Sequence, residues 1–105
     1  MKKRFIVCYN NNIPKEEEIK FVQFAKDNKM GWWHWIDNVW LLVDYSGQMT
    51  APILRDKVCK LHSGSRVIII ELAEDKDTWA GFGPATPKNM FDWVKRNWQK
   101  TKSKD

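Results

Sequence analysis

Cysteine is scarce: Cys8 and Cys59 are the only two thiols in 105 residues. They form no CxxC pair and have no histidine at zinc-ligand spacing, so a zinc-ribbon or redox reading is excluded; two reduced core thiols are the plainer one. Long apolar runs are missing too. None approaches the roughly 20 residues that cross a bilayer. The basic opening Met1, Lys2, Lys3, Arg4 is followed by too short an apolar run for a signal peptide before Asn10, Asn11 and Asn12 intervene. No membrane partner and a cytoplasmic location are therefore expected. Catalytic signatures of local spacing are likewise lacking: there is no P-loop, no GxSxG and no HExxH. No cofactor is implied. The length suits one domain over residues 1–105 whose core needs neither disulfide nor metal.

Tryptophan, by contrast, is abundant, at seven residues, and the net charge is +5 with a pI near 9.3. Lys2, Lys3 and Arg4 open the chain; Lys95, Arg96, Lys100, Lys102 and Lys104 close it, the last of them in a basic tail over about residues 99–105. Basic ends and surplus indole area fit a nucleic-acid partner, which the cations would meet through phosphate without regard to sequence. They equally fit an obligate dimer with a solvated tail.

Residues 4–9 form a continuous apolar, β-prone run, expected as a central strand. Pro14 and the carboxylates Glu16, Glu17 and Glu18 then open a helix over about residues 14–28, with Ile19, Val22 and Ala25, flanked by Phe21, as its face and Gly31 beyond its end. Two aromatic runs, 32–36 and 39–43, surround Asp37-Asn38 and read as a hairpin. Thr50 and Pro52 begin a second helix over about 51–62, on the stripe Leu54, Val58, Leu61. The β-branched run in 66–72 reads as an interior strand. Thr86 and Pro87 start a last helix whose apolar side is Met90, Phe91, Val94 and Trp98.

This order, β-α-β-β-α-β plus a helix, is the α+β, ferredoxin-like pattern: an antiparallel sheet with two helices on one face. The hairpin carries large apolar groups on both faces, and two helices cover only one; a second copy, the C-terminal helix or a ligand has to cover the other. A homodimer follows as an expectation, with Trp33, Trp35 and Trp40 in its seam or in the core.

The Trp32-Trp33-His34 run, Tyr9, Trp40 to Val43, residues 53–56, 67–72 and Trp79-Ala80-Gly81 resemble a family of small bacterial ferredoxin-like proteins labelled SinR-like. That family is similar to the CRISPR-associated adaptation nuclease-like protein. The resemblance spans most of residues 4–98. It implies a homodimer with one acidic metal-holding position per chain at the end of strand 1. Here that position reads Asn10, and an amide is a weak neutral ligand that cannot act as a base.

Candidate binding residues are Arg4, Asn10, His34, Trp79, Lys95 and Arg96. His34 can meet phosphate or exchange protons near neutral pH, or simply pack among indoles. The glutamates at 16–18 read as a solvated helix start, and Trp79, between flexible residues, suits a binding rim. Three function classes stay open: a non-catalytic dimeric module binding nucleic acid or a nucleotide, a metal-dependent nuclease of the CRISPR-associated type weakened by Asn10, and a protein-interaction or antitoxin-like partner.

Overall fold

A computed structural model describes residues 2–10, 13–62, 65–72, 81, 83 and 88–98. The chain is α+β, in the order β1 (Lys3–Tyr9), α1 (Lys15–Asp27), β2 (Met30–Ile36), β3 (Val39–Asp44), α2 (Ala51–Leu61) and β4 (Val67–Glu71). A short C-terminal helix follows, ending in a π-helical turn, Val94–Trp98. The four strands make one antiparallel sheet in the order β2-β3-β1-β4.

Alternation sorts the strand residues between two cores. Phe5, Val7 and Tyr9 of β1 meet Trp40 and Leu42 of β3 on one face, packed by Phe21 and Ala25 of α1 and by Leu54 and Val58 of α2. The other face carries Trp33 and Val43, covered by Met90, Val94 and Trp98 of the C-terminal helix. Thr50 caps α2 as its sequence predicts, its hydroxyl accepting from Ile53 N at 3.3 Å.

Several expectations need correction. The β-branched strand 67–71 is not interior: β4 is an edge strand. Side chains stand perpendicular to a sheet, so an apolar run reports covered faces and not lateral neighbours. Val67 and Ile69 pack on the helix-side core, while Ile68 and Ile70 stay exposed. On α1 the buried stripe is Phe21 and Ala25, and Ile19 faces solvent. Gly31 lies beyond the end of α1, and the left-handed residue at that end is Lys29, with φ of 57°. Gly31 lies inside β2, where a Cβ would meet Trp93 Cζ2 at 3.1 Å and the Tyr45 hydroxyl at 3.3 Å. A bulge between Trp33 and Ile36 pairs Ile36 with Val39, and so turns Ile36 to the Trp33 face instead of the face of Trp32 and His34.

The expected start of the last helix at Thr86 and Pro87, and the basic tail, lie outside the described residues. Among those described, no helix is long and apolar enough to cross a membrane.

Candidate functional site

Because β2 ends the sheet, its outer edge is open to the side. A cleft of about 490 Å³ wraps that edge and draws its walls from both sheet faces. Its size falls within the roughly 300–1,000 Å³ of small-ligand pockets. On the helix side it is bounded by Trp32, His34 and Glu18. On the other side it is bounded by Trp35, Trp93 and the cations Lys88 and Arg96.

His34 is the most constrained polar group in the cleft. Its ring lies parallel to the Trp40 indole, with centroids 3.7 Å apart and planes 5° apart. Nδ1 is 3.0 Å from the Val39 carbonyl oxygen. A carbonyl only accepts, so the geometry assigns the hydrogen to Nδ1. Nε2 then faces Glu18 Oε2 at 3.7 Å, beyond hydrogen-bond length. Behind the stack, Trp40 Nε1 donates to the Tyr9 hydroxyl at 2.7 Å, and that hydroxyl donates to the Asp37 carbonyl at 3.3 Å. Burial, helped by the charges of Glu18 and Asp37, raises the Tyr9 pKa against the opposing bond from Trp40.

The far wall is pinned by Trp33, whose Nε1 donates to Met90 O at 2.6 Å and whose ring stacks on Phe91 at 6.2 Å. Trp93 is seated against Gly31, and a Cβ at position 31 would push that wall back by a few tenths of an ångström.

The structure gathers some of the sequence candidates and separates others. His34, Trp35 and Arg96 all line the cleft, and Trp33 and Trp40 form its inner walls. Trp33 and Trp40 are buried within their own chain, whereas Trp35 is 44% exposed. Arg4 does not take part. It is 4% exposed, donates to Trp98 O at 3.4 Å and lies 5.5 Å from the Trp98 ring centroid. Asn10 is also remote from the cleft lining, and its Oδ1 accepts from Arg66 N at 2.7 Å and from the Ser65 hydroxyl at 3.0 Å. That oxygen fastens the approach to β4. Lys95 is exposed but does not line the cleft, and Trp79 lies outside the described residues.

Among the lining residues that escaped sequence reasoning are Glu18, Trp32, Lys88, Asp92 and Trp93. A signal for Glu18 existed. It stands four residues before Val22, and Val22 packs against the core, so Glu18 shares the inward-leaning side of α1. Nothing local joins Lys88 or Trp93 to β2.

A metal at the Asn10 position does not fit this chain. The amide is neutral, its oxygen already accepts two hydrogen bonds, and among the described residues no three His, Cys, Asp or Glu side chains converge. No family model, curated protein or solved structure matches this chain.

Proposed function

We propose that this protein is a non-catalytic, dimeric, ferredoxin-like module that binds a nucleotide unit, free or within a single strand, in the cleft at the β2 edge. The observation that carries the reading is the composition of that cleft: three accessible indoles, from Trp32, Trp35 and Trp93, share it with the cations Lys88 and Arg96 and the carboxylates Glu18 and Asp92. An indole offers a base a stacking surface worth roughly 1–3 kcal/mol, and the two cations answer a phosphate. The ferredoxin-like assignment is supported by β3 lying between β1 and β2, with a helix on each crossover. The Asn10 geometry favours a binding role over a nuclease.

The dimer reading takes a different seam from the one expected. Ile36, Val39, Cys8 and Ile68 are register partners in one row across all four strands, on the face that the C-terminal helix covers elsewhere. Ile36 is 50% and Ile68 57% exposed. A second copy laid over this row would bury it.

The test is calorimetric titration with mononucleotides and with short single-stranded and duplex oligonucleotides, at two salt concentrations. Binding of the mononucleotide and single strand is expected, weakened by salt and lowered about tenfold or more in Trp35→Ala. Absence of binding to every one of these ligands would overturn the reading.

A further inference from the structure

Resting on that reading of the cleft, we propose that Glu18 and His34 together form an acceptor pair that selects an aromatic base bearing an exocyclic amino group. The contact of His34 Nδ1 with the Val39 carbonyl at 3.0 Å places a ring hydrogen on Nδ1, so in its neutral form the ring presents a bare lone pair at Nε2. The Trp40 stack holds the ring plane in place, so this lone pair has a fixed direction. The Glu18 carboxylate stands 3.7 Å away, and both groups line the cleft.

Two acceptors that face each other across that gap make no bond to one another while the imidazole is neutral. A group with two hydrogens on one nitrogen satisfies both. An exocyclic amine of adenine, cytosine or guanine is such a group, planar with the ring that the neighbouring indoles would stack. Uracil and thymine carry carbonyl oxygens at the corresponding positions. Those oxygens would face two lone-pair donors and leave the pair unsatisfied. A site built around a ligand N–H penalises the analogue without it far more than an apolar pocket penalises a missing methyl group.

The experiment compares adenosine 5′-monophosphate with the 5′-monophosphate of purine riboside, which differs by the amino group alone. Titrations use the full chain, Glu18→Ala and the control Glu16→Ala, an exposed position outside the cleft lining. The wild type and Glu16→Ala are expected to favour the amino ligand about tenfold, as a charge-assisted hydrogen bond implies. Glu18→Ala is expected to reduce that preference to about twofold or less. Equal affinity of the wild type for the two ligands overturns the acceptor pair while leaving nucleotide binding intact. A preference that survives in Glu18→Ala overturns it as well. Failure of both nucleotides to bind removes the underlying reading, and this inference with it. Circular dichroism of Glu18→Ala guards against a folding defect, and because Glu18 lies in the first turn of α1, with part of its side chain in solvent, the fold is expected to persist.

Discussion

The His34 imidazole lies flat on the Trp40 indole, 3.7 Å between centroids, and so joins the cleft to the centre of the helix-side core. Trp40 is wholly buried beneath it and meets Phe21 edge-on at 4.7 Å. A ligand that presses on His34 therefore presses on the packing of β3 against α1.

Replacing His34 by alanine removes the stack and leaves the Val39 carbonyl without its side-chain donor. A loss of about 1–3 kcal/mol is expected, read as a lower urea midpoint with unchanged slope. A midpoint equal to wild type would show that the stack contributes nothing to folding.

Asp44 should give the fold an acid-sensitive term. Burial alone would raise its pKa, but bonds from Met49 N at 2.6 Å and from the Ser46 hydroxyl at 2.8 Å and amide at 3.1 Å outweigh this and lower it. A lowered folded pKa contributes stability above the ordinary aspartate range, lost as pH falls through that range and below. Asp44→Asn should flatten the stability profile between about pH 5 and pH 2. An unchanged acid limb would refute the assignment.

Ile68→Glu places a charge at the β4 end of the exposed row. Wild type should scatter light as twice the 12.5 kDa chain mass at micromolar concentration, and the variant as a single chain. Wild-type scattering at the single-chain mass would rule out the proposed seam.

No efficient Mg²⁺-dependent cleavage of DNA or RNA is expected from the wild type, since Asn10 offers an amide oxygen already engaged by Arg66 and Ser65. Asn10→Asp keeps an acceptor for both donors and adds a charge. It should fold, and it should bind Mn²⁺ if the resemblance places the position correctly. EDTA-sensitive cutting by the wild type would contradict the first expectation, and loss of Mn²⁺ binding in the variant the second.

The elements were readable because their signals are local. Thr50 and Pro52 mark one helix start, Pro14 and three glutamates another, and Asp37-Asn38 marks the hairpin. What escaped is lateral or distant. The edge position of β4 depends on which strand lies beside it, and Val67 to Ile70 say only what lies above and below. The cleft joins Glu18 to Arg96 through the free side of β2, and no periodicity spans that separation. His34 was legible as half of the site because its aromatic neighbours are adjacent in sequence. The cover over Trp33 stayed open for a similar reason: the sequence alone does not distinguish a second copy from Met90, Val94 and Trp98 of the same chain.

The C-terminal helix closes the second core from the far end of the described residues, after the sheet strands have been made. Lys2 Nζ donates to Asn97 O at 3.0 Å across 95 positions, and Arg4 reaches Trp98 across 94. During synthesis, which proceeds at roughly 5–20 residues per second, the sheet can assemble with Ile6, Leu41 and Val43 still bare. For that interval the nascent chain presents a sticky, half-finished surface, a natural place for a chaperone to hold on. A chain that stalls before Trp98 would leave Trp33 and Val43 without the full cover of Met90, Val94 and Trp98.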